Sequence, residues 1–250
     1  MSPTRREFVA ASAAVIASHD LRRMTAPERS ELAAPRRDAI DGGTVLLFQG
    51  DSITDCGRDR SIAAANDARA LGTGYPLLIT GSLRDRYPER DLQVFNRGVS
   101  GNTVDDLHAR WTADAIDLKP AVLSILIGVN DKWHTLMGTY KGTAEKYEAG
   151  YRALLDATRA ALPATHLVVM EPFVLKTGSV TDTWFPDFDN YRAAARRVAE
   201  GVKATFVPLH DMLQDLGRKA TPAYWAADGV HPTVAGHAAI ARQWLDRVKM

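Results

Sequence analysis

Apolar residues fall along the chain in five short blocks, and after most of them the period of the pattern changes. The blocks are Val45-Leu46-Leu47-Phe48, Leu92-Gln93-Val94-Phe95, Val122-Leu123-Ser124-Ile125-Leu126-Ile127, Leu167-Val168-Val169-Met170 and Thr205-Phe206-Val207. Short runs of this composition suit strands. The third is apolar on both strand faces, as a central strand of a doubly covered parallel sheet must be. Between the blocks, Val104, Leu107, Trp111, Ala115 and Leu118 recur at spacings of three and four, as do Tyr147, Tyr151, Leu154, Leu155, Thr158 and Leu162. That spacing keeps one helical face apolar and predicts helices over 103–118 and 144–162. Thr103 with Asp106 resembles a capping box with the shorter acid, and Pro120 and Pro163 close the two segments. Further helices are expected near 74–87, 188–202 and 233–247. Alternating strands and helices imply a parallel sheet with right-handed crossovers and helices on both faces. The expected fold is a single three-layer α/β/α domain with a five-stranded, flavodoxin-like parallel sheet.

The first 41 residues do not share this pattern. Arg5-Arg6 followed by the small, mildly apolar run AASAAVIAS resembles a twin-arginine export signal over residues 1–17. Residues 18–41 are charged and proline-broken and read as a linker, leaving 42–250 as the folded domain. The expected location is therefore the periplasm or the extracellular medium. The 250 residues carry a formal net charge of +1, and residues 1–40 hold seven arginines against five acids, so the slight basicity belongs to the leader. A near-neutral domain gives no electrostatic case for a nucleic-acid partner or an anionic membrane. No apolar run approaches the roughly 18 residues of a membrane span, so no membrane insertion is expected. Cys56 is the only cysteine, and histidines 108, 134, 166, 210 and 237 lack ligand spacing, so neither a metal nor another cofactor is expected.

In open α/β sheets ligands bind beyond the carboxyl ends of the strands. The first strand here ends in Gly50-Asp51-Ser52, the second in Asn96-Arg97-Gly98 and the third in Gly128-Val129-Asn130-Asp131. After the fifth comes Asp228-Gly229-Val230-His231-Pro232, just ahead of the last helix. A serine hydroxyl needs a base to become a nucleophile, and histidine suits neutral pH. His231 qualifies if a carboxylate holds its other ring nitrogen, and Asp228 lies on the same turn. Charge developing on a tetrahedral intermediate needs fixed donors; the Ser52 N–H, the Gly98 N–H and the Asn130 amide are the candidates. A glycine at 98 lets a substrate approach the backbone, although a lone glycine more often marks a positive φ. Each motif alone is also an ordinary turn or cap; their joint placement is what points to catalysis.

These motifs resemble the SGNH, or GDSL, hydrolases: GDSIT, NRG, GVND and DGVH stand for the four family blocks, and the likeness spans about residues 42–248. The resemblance implies Ser52 as nucleophile, His231 as base, Asp228 as its orienting acid, and Gly98 and Asn130 completing the oxyanion hole with Ser52. Thr54 stands where the Gly-x-Ser-x-Gly elbow of ordinary α/β-hydrolases has its second glycine. GDSITDCGR, LGTGY, NRGVSGNTVDDLHARW, IGVNDKW and DGVHPTVAGH further resemble bacterial SGNH acetylxylan esterases. That likeness implies an acetylated carbohydrate substrate, xylan or xylo-oligosaccharide, and no cofactor or metal. It leaves a homo-oligomer open, and no interface can be read from the sequence. A lipase, lysophospholipase or thioesterase of the same family is the enzymatic alternative, and a carbohydrate-binding module with a retired site is the non-catalytic one. Asp51, Trp133 and Trp225 are candidates to touch substrate, the rings by stacking on a sugar unless they pack the core. Cys56 reads as a small buried residue, His237 as structural, Asp131 as shaping the Asn130 loop. His210-Asp211 is the one rival His–acid pair.

Overall fold

Five strands form one parallel sheet: β1 (Val45–Gly50), β2 (Gln93–Asn96), β3 (Val122–Leu126), β4 (His166–Met170) and β5 (Thr205–Val207). Their order is β2-β1-β3-β4-β5. The computed structural model describes residues 43–248; the export signal read over 1–17 and the linker over 18–41 lie outside the described residues. The helices are α1 (Ser52–Asp55), α2 (Ala68–Leu71), α3 (Tyr75–Arg86), α4 (Val104–Trp111), α5 (Val129–Leu136), α6 (Ala144–Ala161), α7 (Asp187–Gly201), α8 (His210–Leu216), α9 (Pro222–Trp225) and α10 (Val234–Arg247). All five apolar blocks are strands.

Alternation along each strand divides the core between two layers. Leu46, Phe48, Val122 and Leu126 point to one side, against Tyr75, Ile79 and Leu83 of α3 and Ile240 and Trp244 of α10. Leu47, Leu123 and Ile125 point to the other, against Leu107 and Trp111 of α4, Tyr151 and Leu154 of α6 and Val198 of α7. Burying each large side chain contributes roughly 1.5–3 kcal/mol, so the two layers together hold the sheet rigid beneath its loops. Ser124, the one polar residue of the central strand, is fully buried but partnered: Trp244 Nε1 donates to its Oγ at 2.9 Å.

Helix α4 begins with the expected capping box: the Asp106 N–H donates to the Thr103 side chain, and the Thr103 N–H donates to Asp106 Oδ2 at 2.8 Å. It does not run on to 118 as a regular helix. After Trp111 the backbone widens into a π-turn over Thr112–Ile116. Gln49, buried in β1, donates from Nε2 to the Asp114 carbonyl at 2.6 Å, and Arg110 Nη1 donates to Gln49 Oε1 and Asp114 Oδ2. Gln49 binds the turn from outside the helix, and the local sequence carries no trace of it. Among the described residues no helix is long and apolar enough to cross a membrane.

Candidate active site

Strand β1 turns into α1 at Gly50, whose φ is +155°. A Cβ there would lie 2.2 Å from the Leu126 carbonyl and 2.4 Å from Thr54 Oγ1, so only glycine lets β1 end this close to β3. Asp51 caps α1 by accepting the Ile53 N–H on Oδ1 at 3.0 Å. Ser52 is the first residue of α1, so its N–H has no partner within the helix. Its Oγ lies 2.9 Å from His231 Nε2, across 179 positions of sequence.

The turn ahead of α10 supplies the histidine and its acid together. Asp228 Oδ2 lies 2.6 Å from His231 Nδ1, and Asp228 Oδ1 accepts the backbone N–H groups of Val230 at 2.9 Å and His231 at 2.7 Å. Burial alone would raise the Asp228 carboxyl, but hydrogen bonds from the His231 ring and from the two backbone N–H groups outweigh it and hold the carboxyl below its ordinary value. An ionised Asp228 assigns the ring proton to Nδ1 and leaves Nε2 free to accept from the Ser52 hydroxyl. The turn is braced by the segment after β4: Leu175 N–H donates to the Gly229 carbonyl and Ser179 N–H to the Asp228 carbonyl, each at 2.8 Å. Gly229 has φ +87°, and a Cβ would lie 2.4 Å from both the Leu175 and Thr177 carbonyls.

The loop after β2 corrects one expectation. Gly98 does not present a free N–H: that group donates to Asn96 Oδ1 at 2.9 Å. Its φ is not in the left-handed region either, and its missing side chain serves α1, since a Cβ would lie 2.4 Å from the Asp55 nitrogen. Three residues further on, Gly101 has φ +84° with open space where a Cβ would stand. Its N–H forms no hydrogen bond among the described residues. Asn130, in the first turn of α5, donates from Nδ2 to the Asn102 carbonyl at 3.1 Å, which sets its amide beside Gly101. The sequence NRGVSG contains both glycines, and the side-chain bond from Asn96 that separates them cannot be read from spacing.

Two buried carboxylates flank this arrangement. Asp131 takes the Val104 N–H on both oxygens, at 3.2 and 3.3 Å, and caps the start of α4. Asp51 is 1% exposed, and its Oδ2 has no partner among the described residues. Burial, with the Asp131 charge adding, pushes Asp51 up to about 7; burial likewise pushes Asp131 up to about 7. Asp51 is thus closed off from any substrate, contrary to expectation, and its place is that of a helix cap.

The aromatic candidates separate. Trp133 is partly buried, with its ring centroid 6.0 Å from that of His231 and 5.8 Å from that of Trp184. Trp225 instead donates its indole N–H to the Leu216 carbonyl at 3.0 Å and packs edge-on to Tyr224, so it ties α9 to α8 and does not share Trp133's position. His237 is structural: Nδ1 accepts the Tyr75 N–H at 3.2 Å, and burial together with the nearby His231 pushes the ring down to about 4. Cys56 is half-buried, not buried as expected, with its Sγ 3.3 Å from His237 Nε2. His210 and Asp211 do not pair; Asp211 accepts from Arg192 and His210 faces Gln214. Among the described residues no group of three or more His, Cys, Asp or Glu is arranged to hold a metal ion.

A parallel α/β sheet with a Ser–His–Asp hydrogen-bonded chain at its carboxyl edge is the framework of a carboxylic ester hydrolase, and the enzyme is one. Residues 48–239 match the GDSL-like Lipase/Acylhydrolase family, and the chain belongs to it. Among known proteins, an acetylxylan esterase of Geobacillus stearothermophilus is 38% identical over 213 residues, covering 84% of this chain and 95% of that one. The crystal structure of an acetylxylan esterase from Geobacillus stearothermophilus superposes with a TM-score of 0.75 at 37% identity, covering 85% of this chain and 97% of the other. A protein of Parabacteroides merdae classed as GDSL-like lipase superposes with a TM-score of 0.81 at 42% identity, over 83% and 96% of the two chains.

Proposed function

We propose that this hydrolase is a serine esterase that removes acetyl groups from acetylated xylan or xylo-oligosaccharides. The observation that carries the reading is the chain Asp228–His231–Ser52, hydrogen-bonded at 2.6 and 2.9 Å. Ser52 Oγ attacks the acetyl carbonyl while His231 Nε2 takes its proton. The Ser52 N–H, the Gly101 N–H and Asn130 Nδ2 meet the oxyanion of the tetrahedral intermediate. Its collapse breaks the bond between the acetyl carbon and the sugar oxygen, which takes the proton from His231 and departs as a hydroxyl, leaving an acetyl group on Ser52. Water, activated by the same histidine, then releases acetate. Asp228 holds the ring in the tautomer both half-reactions need.

The acetylated carbohydrate is supported by the likeness to the Geobacillus acetylxylan esterase, which runs through nearly that whole protein. Catalytic mutants of that relative replace a serine and a histidine by alanine, in keeping with the roles given to Ser52 and His231. Trp133, beside His231, offers a ring face for the sugar. Export is proposed from the paired arginines and small-residue run of the leader, and would carry the enzyme to a polysaccharide outside the cytoplasm. The deciding experiment is acetate release from acetylated xylo-oligosaccharides by the protein and by its Ser52→Ala variant. Release that disappears in the folded variant is the expected result. Ser52-dependent cleavage of an aryl acetate without any acetate from the oligosaccharides would move the substrate to another acyl ester. Binding of the oligosaccharides with no cleavage of either substrate would leave a binding protein.

A further inference from the structure

The loop after β2 is fastened to the helix that carries Ser52, and on the Ser100 side of Gly101 the fastening to that helix is a single carboxylate. Asp55, the last residue of α1, is 3% exposed. One of its oxygens, Oδ2, accepts three hydrogen bonds: from the Ser100 N–H at 2.9 Å, from Ser100 Oγ at 2.9 Å and from Arg60 Nη2 at 2.7 Å. Behind it the base of the loop is already closed. Asn96 Nδ2 donates to the Thr54 carbonyl at 2.6 Å, Arg58 Nε donates to the Gly98 carbonyl at 2.8 Å, and Gly98 lies flat against the Asp55 nitrogen. None of these reaches the tip, where Ser100 is exposed and Gly101 takes a positive φ. The peptide joining Ser100 to Gly101 is thus held to α1 through Asp55.

We propose that Asp55 is a positioning residue for the oxyanion hole: by gripping both donors of Ser100 from the far end of α1, it fixes the Gly101 N–H relative to Ser52. This deepens the esterase reading and rests on it. Helix and loop move as one body, so the distance between the nucleophile and the donor does not depend on the mobility of an exposed tip. The bonds are to a carboxylate and are therefore of the stronger, charge-assisted kind. Burial would raise that carboxyl, but the bonds from Ser100 and Arg60 outweigh it and hold it below its ordinary value. Ser100→Ala removes only the hydroxyl and leaves the N–H bond, so Asp55 is the member whose loss frees the Ser100 side of the tip, while Asn102 beyond Gly101 keeps its bonds from Asn130 and Arg110.

The test uses p-nitrophenyl acetate with wild type, Ser52→Ala, Asp55→Asn and Asp55→Ala, and phenylboronic acid as a mimic of the tetrahedral adduct. A misplaced donor costs on the order of 10²-fold. The expected result is kcat down roughly 100-fold in Asp55→Ala and roughly 10-fold in Asp55→Asn, which keeps an acceptor, with KM within about twofold in both. The inhibition constant of phenylboronic acid should rise in step with the loss of kcat, a change that general loosening of the fold would not follow. If Asp55→Ala does not fold, Asp55→Asn decides. A folded variant with kcat within about twofold of wild type, or with boronate affinity unchanged, overturns the proposal while Ser52-dependent hydrolysis stands. Wild-type protein with no Ser52-dependent hydrolysis overturns the esterase reading itself, and this role with it.

Discussion

Asp228 holds His231 twice, through the ring at 2.6 Å and through the backbone N–H at 2.7 Å. One carboxylate thereby sets both the position of the imidazole and which nitrogen carries its proton. Asp228→Asn keeps the shape but offers an amide N–H where an acceptor is required, so the ring is driven to the wrong tautomer. The expected loss in kcat on an aryl acetate is roughly 10³- to 10⁴-fold, with Ser52→Ala losing roughly 10⁴-fold or more. Near-normal turnover by folded Asp228→Asn would mean that something else orients His231.

Asn130→Ala removes one of the donors proposed for the developing oxyanion and leaves the Ser52–His231 bond alone. It should lower kcat roughly 10²- to 10³-fold with little change in KM. A rise in KM at unchanged kcat would instead assign Asn130 to substrate binding.

The two glycines of the β2 loop should respond to different degrees and for different reasons. Gly98→Ala places a methyl group 2.4 Å from the Asp55 nitrogen, against backbone that cannot swing aside. Overpacking of this kind costs about 2 kcal/mol or more, measurable as a shift in the urea midpoint. Gly101→Ala meets no neighbour and should cost only about 1–2 kcal/mol for its backbone conformation. Equal destabilisation by both would contradict the close packing of Gly98 on α1.

Burial of Asp51 has a pH signature. Its carboxyl ionises near the ordinary 3.8 in the unfolded chain but only at about 7 in the folded one. The stabilisation from keeping it neutral is fully present below pH 4 and is lost as pH rises through about 7. Asp51→Asn cannot ionise, so relative to wild type it should gain stability between pH 4 and 7, by at most about 4 kcal/mol, and no further above. Denaturant unfolding of both proteins at acid and mildly alkaline pH measures this; a constant difference would show that the carboxyl titrates normally. Asp131 keeps its own share of the slope in both proteins.

Much of this architecture was legible because a parallel sheet covered on both faces writes continuous apolar runs, as in Val122–Ile127. The long helices were legible by their stripes. Helices α1, α2 and α9 span only four residues each and cannot display a period. The turn after Trp111 is bound by Gln49, 65 positions from Asp114, and that contact leaves no local mark. At the proposed site, Ser52 and Asn130 drew notice because each lies where a strand gives way to a helix, and Asp228 and His231 because they share the turn ahead of α10. Gly98 was named, and Gly101 was not, because spacing does not reveal that Asn96 has already taken the Gly98 N–H. The burial of Asp51 was missed for a related reason: closeness in sequence to a reactive group says nothing about which side of the backbone faces solvent.

The acid and the histidine arrive on one four-residue turn, while Ser52, Gly101 and Asn130 all lie nearly a hundred residues or more before it. The exposed residues Arg218 and Lys219 lie between these two groups, at the end of α8. A break there would separate a fragment able to supply nucleophile and oxyanion donors from one able to supply base and acid, and neither could turn over alone. The fold is in this sense divisible into a large and a small complementary piece, with α10 docking on α3 as the joint, and ester hydrolysis would report their reunion.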